Sequence, residues 1–267
     1  MDILRNKAKE LLKNHSVELV IGYENGTNGK VRASFVNNPE NTDSLIYDER
    51  CIQNLAVYLI KKEVYKQGKL AIVANTSCMR AIMMLVSEQQ VKEENIIVLG
   101  ISDDGNFLDF SGFDEIENYL SKTKINLTEK DRLALENLNK MTLEERQEFW
   151  KKELAKCFKC FACRAACPLC YCTRCTVECN QPQWIPVPSH LKGNLAWHMM
   201  RTMHLAGRCV GCGDCGRACP LDIPVHLLTI NMMEEIDKMF GVKPGESRKM
   251  PSVLSTFKPD DKENFIL

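Results

Sequence analysis

The cysteines of this chain are concentrated in one region and follow a repeated spacing. Of 14 cysteines, twelve lie between positions 157 and 219. Two runs share the pattern Cys-x-x-Cys-x-x-Cys-x-x-x-Cys-Pro. In such runs three thiolates hold one cubane iron-sulfur cluster, and the fourth, placed before the proline, ligates the other cluster. The spacing therefore predicts two 4Fe-4S clusters. One would be held by Cys157, Cys160, Cys163 and Cys219, and the other by Cys209, Cys212, Cys215 and Cys167.

Dense cysteine has two other common uses in proteins. A disulfide framework belongs to secreted chains, and the first residues lack the basic-then-apolar pattern of a secretory leader, so we expect a cytoplasmic, reduced protein. No stretch approaches the roughly 18 apolar residues of a membrane span. Zinc sites also use two-residue spacings, but they pair their cysteines in twos. The three-plus-one pattern before proline favours iron-sulfur clusters over both.

Six further cysteines leave three arrangements open. Four of them follow the first run closely, and they are Cys170, Cys172, Cys175 and Cys179. These four could close a third cluster by themselves. The remaining two, Cys51 and Cys78, lie at predicted helix starts, where the helix dipole favours a thiolate. A third cluster could therefore be held by Cys51, Cys78 and two of the later cysteines. The last alternative is that some of the six are buried free thiols.

Composition sets limits on the rest of the molecule. The chain has 267 residues, with 35 basic and 35 acidic side chains, which is enough for one medium and one small domain. The balanced charge gives no reason to expect nucleic acid or a membrane surface as a partner. Cations nevertheless crowd the cysteine region, either to stabilise reduced clusters or to form a basic face for an acidic partner. They are Lys156, Lys159, Arg164, Arg174, Lys192, Arg201, Arg208 and Arg217.

Residues 1–125 are predicted to form an α/β domain with a mostly parallel sheet. Apolar periodicity predicts helices over residues 2–14, 48–66 and 77–88, and strands over 17–23, 31–36, 70–74 and 96–101. The first two strands are predicted to form a hairpin, and the last two are joined by a parallel crossover. Ligands of open α/β sheets bind at the carboxyl ends of such strands, here around residues 75–80 and 102–105.

The second half of the chain is predicted to be helical. Capping-box signatures at Thr128 and Thr142 begin two helices of a connector, residues 126–156. The iron-sulfur domain is predicted over residues 157–241, with helices at 191–206 and 226–240 that each stop at a glycine. Residues 242–267 contain three prolines and are predicted to be an extended arm, laid on a neighbouring subunit or disordered.

The cysteine region also resembles known families. Forty-one residues separate Cys167 from Cys209, and this long gap resembles the α-helical ferredoxin arrangement of heterodisulfide reductase C subunits and succinate dehydrogenase iron-sulfur subunits over residues 150–241. The stretches 157–175, 181–184 and 207–209 resemble iron-sulfur proteins related to the beta subunit of deazaflavin-coenzyme-reducing hydrogenases and formate dehydrogenases. Residues 75–82, Asn-Thr-Ser-Cys-Met-Arg-Ala-Ile, look like the strand-to-helix cysteine segment of that superfamily. In those beta subunits the cluster run usually precedes the α/β part, whereas here it follows.

These patterns predict a cytoplasmic electron-transfer subunit of a multisubunit anaerobic oxidoreductase. The resemblance implies partners of the flavoprotein, dehydrogenase, hydrogenase or heterodisulfide reductase-like classes, including electron-bifurcating complexes. One alternative is a reductase that itself carries FAD or FMN, although no Gly-x-Gly-x-x-Gly motif is present. A second alternative is a metal-bound interaction module. No catalytic side chain is predicted, and the histidines near the clusters, His190, His198, His204 and His226, are interpreted as packing or supporting residues rather than ligands.

Overall fold

The computed structural model describes residues 1–175, 182, 183, 185–250 and 253, and its N-terminal half contains a five-stranded sheet. The strands are β1 (Leu19–Asn25), β2 (Val31–Val36), β3 (Leu70–Ala74), β4 (Ile96–Ile101) and β5 (Phe107–Asp109). Their order across the sheet is β2-β1-β3-β4-β5. All five residues of β3 are buried, as expected for a central strand covered on both faces.

The sheet is mixed, so the prediction of a mostly parallel sheet is wrong. β1 pairs with β3 and β3 with β4 in parallel, whereas β1–β2 and β4–β5 are antiparallel. The reason is the length of the connections, because a parallel pair requires a long crossover. β2 returns through a tight turn in which Gly26 N donates to Lys30 O at 2.7 Å. β5, which the sequence did not predict, returns through a turn in which Ser102 N donates to Asn106 O at 2.9 Å.

Ten α-helices surround or follow the sheet within the described residues. They are α1 (Asp2–Lys13), α2 (Lys62–Tyr65), α3 (Thr76–Ser87), α4 (Phe113–Lys122), α5 (Glu129–Lys140), α6 (Leu143–Ala155), α7 (Ala162–Ala165), α8 (Leu191–His204), α9 (Asp214–Arg217) and α10 (Val225–Phe240). The helices predicted at the N-terminus, after β3, and around residues 143, 191 and 226 are confirmed within a few residues. The described part of the chain is therefore an α/β N-terminal region followed by a helical C-terminal region.

The helix predicted over residues 48–66 does not form. Only a single 3₁₀ turn, Leu55–Tyr58, and the one-turn helix α2 are present there. Asn54 explains the difference, because its backbone N–H donates to Asp214 Oδ2 at 2.7 Å and its side chain donates to Ser77 O at 3.1 Å. These contacts hold the segment in place between the sheet and the cysteine region, so tertiary structure overrides the helical spacing of its apolar residues.

The cysteine region packs directly against the sheet. Leu169, Leu205 and Val210 belong to the same buried cluster as the strand residues. Beyond α10, Pro244 O accepts a hydrogen bond from the buried Arg80, and Arg248 forms ion pairs with carboxylates of the α/β region. The domain boundaries given above stay predictions. Within the described residues, no helix is both long and apolar enough to cross a membrane.

Candidate iron-sulfur centres

The first cysteine run begins where α6 ends. A capping box at Thr142 fixes the start of this helix, and Asn194 of α8 fixes its end, because its side chain donates to Leu154 O at 2.9 Å and to Cys157 O at 2.7 Å. His198, one helical turn further along α8, places Nε2 3.4 Å from Cys157 Sγ. The connector and α8 therefore hold the first thiol in a fixed position.

Three of the four cysteines predicted to hold the first cluster, Cys157, Cys163 and Cys219, pack in one small cluster of buried side chains, which also contains Cys215. Burial raises the pKa of the Cys157 thiol, and the neighbouring Cys160 and Cys219 thiols raise it further. Burial also raises the pKa of Cys163 to about 12, and Cys157 and Cys160 add to that rise. Cys160 is exposed to solvent, while Cys163 is buried. The group therefore has one side that reaches the protein surface.

The four cysteines predicted to hold the second cluster line one enclosed cavity. Its volume is about 20 Å³. Apart from the four sulfurs its walls are mostly apolar, with Leu205, Val210 and Ile230 among them, and Arg201 supplies a charge. Burial raises the pKa of the Cys209 thiol to about 12. Four converging thiols around a water-poor space fit the donor set of a cubane cluster.

Both runs bend in the same way between their cysteines. The second and fourth residues after the first cysteine of each run have positive φ, at Lys159 and Phe161 in one run and at Gly211 and Gly213 in the other. The bend turns backbone N–H groups toward sulfur, since Lys159 N lies 3.3 Å from Cys157 Sγ, and Gly211 N plays the same part for Cys209. The third cysteine of each run lies in a one-turn helix, α7 or α9.

Most cations of this region point inward and bond to the protein. Lys159 Nζ donates to the carbonyl oxygens of residues 186, 187 and 188, at 2.6, 2.9 and 3.2 Å. Arg217 donates to Cys212 O, and Arg208 pairs with Glu88. Arg201 is only 5% exposed and donates to Cys163 O at 3.2 Å. The structure therefore favours cations that support the cysteine loops over a free basic face.

A large cavity lies beside the second group of cysteines. Its volume is about 720 Å³, and it opens at the carboxyl ends of β3 and β4, the edge where the strand order predicts a ligand. Its walls include Ser77, which follows β3, Asp103 and Asp104, which follow β4, and Cys212 of the second run. Arg80 also lines it, and the buried Nε of this arginine has no hydrogen-bond partner among the described residues.

No protein-family model matches the chain. An F420-dependent formate dehydrogenase subunit beta of Methanocaldococcus jannaschii is 33% identical over 109 residues. The similarity is partial. It covers 40% of this chain and 28% of that protein. It supports the predicted resemblance to formate dehydrogenase beta subunits at the level of a related segment, and the heterodisulfide reductase C-like domain stays a prediction.

Of the six remaining cysteines, the five that the structure describes lie in two places. Cys170, Cys172 and Cys175 line one small cavity, whereas Cys51 lines the large cavity and Cys78 is fully buried. The described residues therefore do not bring Cys51 and Cys78 to the later cysteines. Cys179 lies outside the described residues. No group of three or more Cys, His, Asp or Glu side chains in the described ranges has the geometry for a single metal ion.

Three side chains at these sites were not singled out from the sequence. Arg201 was one of eight cations, His198 was interpreted only as a packing or supporting residue, and Arg80 was only the last residue of the segment 75–80 predicted to lie near a ligand. The signal that could have found the first two is their spacing on α8, since positions three apart lie on one helix face. Arg80 gave no such signal, because its burial depends on residues 120, 123 and 244, whose carbonyl groups accept its hydrogen bonds.

Proposed function

We propose that this chain is an iron-sulfur electron-transfer subunit of a multisubunit oxidoreductase. It carries electrons between a flavin or metal-centre subunit and a second redox subunit. The observation that supports this most is the grouping of the eight run cysteines into two neighbouring sites, one reaching the surface and one enclosed. Cubane clusters supply one-electron redox chemistry, and the chain sets their surroundings and contact surfaces.

The two sites are adjacent and share a charged side chain. Arg201 lines the enclosed cavity and donates to the carbonyl oxygen of Cys163 in the first run. The enclosed site also borders the large cavity through Cys212, and the first site reaches solvent at Cys160. A relay from the large cavity to the surface would pass through the second site at Cys212 and the first site at Cys160.

The partner class rests on the partial relative. That protein is named as a subunit of an F420-dependent formate dehydrogenase. We propose partners of the same general kind, a flavoprotein or a dehydrogenase, hydrogenase or heterodisulfide reductase-like subunit, in an anaerobic and cytoplasmic complex. Electron bifurcation by such a complex is part of this proposal.

The first test is the metal content of the full chain purified without oxygen. We expect at least about eight iron atoms and eight sulfides per chain, and paramagnetic resonance signals of two reduced clusters after dithionite treatment. Zinc without sulfide, or a protein that gives no signal after reduction, would contradict the proposal. Either result would favour the alternative of a metal-bound interaction module.

A flavin-bearing reductase is a second candidate, and the large cavity favours it. Its volume of about 720 Å³ lies within the range of roughly 300 to 1,000 Å³ typical of cofactor sites. Cys212 in its wall would place a bound flavin beside the second cluster, and the buried Arg80 offers a positive charge to a phosphate. The alternative predicts that FAD or FMN is present in the purified protein at about one per chain, or binds when added.

The matched variant is Asp104→Trp, which adds a bulky ring at an exposed position of the cavity wall. Flavin binding should be lost while the iron content stays unchanged. Absence of flavin binding in the unaltered protein would remove this candidate and leave the electron-transfer proposal in place.

A further inference from the structure

Helix α8 carries three polar side chains that reach the first cysteine run. They lie at positions 194, 198 and 201, so they form one stripe along the helix. Asn194 donates to Cys157 O at 2.7 Å and Arg201 donates to Cys163 O at 3.2 Å, so both support the backbone of the run. His198 reaches further, because its Nε2 lies 3.4 Å from the sulfur of Cys157. It therefore contacts a predicted cluster ligand at the atom that would bind iron.

The imidazole of His198 is held in a buried position and is neutral. Only 3% of the residue is exposed. Burial, together with the neighbouring charges of Arg201 and Lys159, lowers its pKa to about 4, so the ring carries a single N–H at neutral pH. A thiolate that ligates iron has no proton and can only accept a hydrogen bond. The contact with Cys157 is therefore a hydrogen bond when the N–H is on Nε2.

The first cysteine of the second run has a corresponding partner on α10. Thr229 lines the same cavity as Cys209. Burial raises the pKa of the Cys209 thiol, while hydrogen bonds from Gly211 N and the Thr229 hydroxyl oppose that rise. A hydroxyl has only one hydrogen, however, and Thr229 Oγ1 donates to His226 O at 3.0 Å. The helix after each run thus supplies a side chain to the first thiol, but only His198 has an N–H that no backbone carbonyl is known to take.

We propose that His198 is a positioning residue of the first cluster, and that its hydrogen bond to Cys157 Sγ raises the reduction potential of that cluster. The proposal rests on the iron-sulfur function proposed above and deepens it. A reduced cluster is more negative than an oxidised one, so an N–H donated to a ligand sulfur stabilises the reduced state. The effect is strengthened where water is excluded, as it is around this ring. The bond therefore favours transfer of an electron toward the cluster that reaches the surface at Cys160.

The test is a redox titration of the full chain, purified without oxygen and followed by paramagnetic resonance. The first cluster is identified as the signal that Cys160→Ala removes. In His198→Leu, which fills much of the same space without a donor, the reduction equilibrium of the first cluster should fall about tenfold, equivalent to about 59 mV for one electron. The potential of the second cluster should stay unchanged. The iron content should remain at about eight atoms per chain, which separates a change of potential from loss of the cluster.

Two amide variants and one threonine variant provide matched controls. His198→Gln retains an N–H donor of similar reach and should recover most of the lost potential. His198→Asn is equally polar but one methylene shorter, so it should behave like His198→Leu. Thr229→Val removes the corresponding side chain of the second run. It should change the second cluster less than His198→Leu changes the first, because the hydroxyl hydrogen already bonds to His226 O.

The other outcomes separate this proposal from the proposed function. An unchanged potential in His198→Leu, with about eight iron atoms present, would overturn the role of His198 and leave the electron-transfer proposal intact. Equal shifts of both clusters would also overturn it, because the contact lies at the first run. If His198→Leu lost the first cluster, the two amide variants would be compared with each other, and equal potentials in them would overturn the proposal. An unaltered protein without iron and sulfide would instead contradict the proposed function itself.

Discussion

The two cysteine runs have the same spacing and opposite surroundings. The first run places Cys160 in solvent, while the second surrounds an enclosed cavity in which Cys215 is 6% exposed. The walls of that cavity, Leu205 and Val210, belong to the main core of the molecule, against which Cys209 and Cys212 also pack, whereas Cys163 and Cys215 belong to a separate small cluster. Spacing thus determines which cysteines converge, and the packing of the rest of the chain determines how far each site is from water.

The runs also differ at the positions of positive φ. The second run uses Gly211 and Gly213, which adopt this conformation at no steric cost. The first uses Lys159 and Phe161, for which it costs about 1 to 2 kcal/mol each. Their side chains make contacts that glycine cannot, because Lys159 binds three carbonyl groups and the Phe161 ring packs 5.4 Å from that of Trp197. In the exposed run, side-chain contacts therefore replace the support that the core gives to the enclosed run.

The largest effect is expected from removing one thiol from each run. Cys215→Ala should remove about four iron atoms and also lower the melting temperature strongly, because the cluster it holds stabilises part of the main core. Cys160→Ala should remove about the same iron with a smaller loss of thermal stability. Iron analysis and thermal unfolding of both variants provide the measurement. Equal melting temperatures would show that the two sites contribute equally to the fold.

The stability of the two clusters can also be compared by exposing the unaltered protein to air. Oxygen and chelators reach the first site through the exposed Cys160, whereas no cysteine of the second site is exposed to that degree. The first cluster should therefore decay earlier, and the protein should pass through a state with about four fewer iron atoms that retains the signal of the second cluster. Paramagnetic resonance recorded at intervals during air exposure would follow the two signals. Loss of both at one rate would mean that the enclosed site is open in solution.

The residue that follows the third cysteine is packed differently in the two runs. It is Gly216 in the second run and Arg164 in the first. A Cβ on Gly216 would lie 2.0 Å from His226 Nδ1, and His226 is held by Asp131 at 2.9 Å. Gly216→Ala should therefore destabilise the protein by about 1 to 3 kcal/mol. Arg164→Ala removes a hydrogen bond to Cys172 O and should cost about 1 kcal/mol or less.

Denaturant unfolding of both variants without oxygen would measure the difference. His226→Ala offers a further check, because it creates the space that the new methyl group needs. If the double variant Gly216→Ala with His226→Ala were as stable as His226→Ala alone, the clash would be established as the cause of the destabilisation. A loss of stability in Gly216→Ala no greater than that in Arg164→Ala would contradict the packing argument.

The sequence predicted the local parts of this molecule and missed those that depend on distant residues. The helices after β3 and before Cys157 follow from capping residues and apolar periodicity that act over a few positions, as at Thr142. The segment at 48–66 has the same periodicity, yet Asn54 bonds to Asp214, 160 positions away. The antiparallel hairpin of β1 and β2 was predicted, whereas β5, the short antiparallel strand at the other edge, was not.

The same limit applies to the candidate site. Cysteine spacing alone led to the two groups that the structure brings together, because the ligands of a run are neighbours in sequence. Spacing could not place Cys51 and Cys78, whose surroundings come from the sheet. It also could not distinguish Arg201 from the other seven cations, since only the packing of α8 between the runs buries it.

The positive charge of Arg201 should affect the two clusters differently. Burial alone would lower the pKa of its guanidinium, but the surrounding thiolates, Cys215 and Cys170 first, raise it well above the ordinary value, so the group stays charged. A fixed positive charge favours the reduced, more negative state of a cluster, and its effect is greatest where water is excluded. Arg201→Met should therefore lower the reduction potential of the enclosed cluster more than that of the exposed one.

We expect a shift of about tenfold in the reduction equilibrium of the enclosed cluster, equivalent to about 59 mV for one electron. Redox titration followed by paramagnetic resonance would measure both clusters in one sample. Arg201→Lys, which keeps the charge, should recover most of the shift. Lys156→Gln removes an exposed charge that is already paired with Glu153 at 2.7 Å, and because solvent and salt screen such a charge it should leave both potentials nearly unchanged. Equal shifts of the two clusters in Arg201→Met would mean that burial does not distinguish them electrostatically, and the difference between the runs would then be one of access alone.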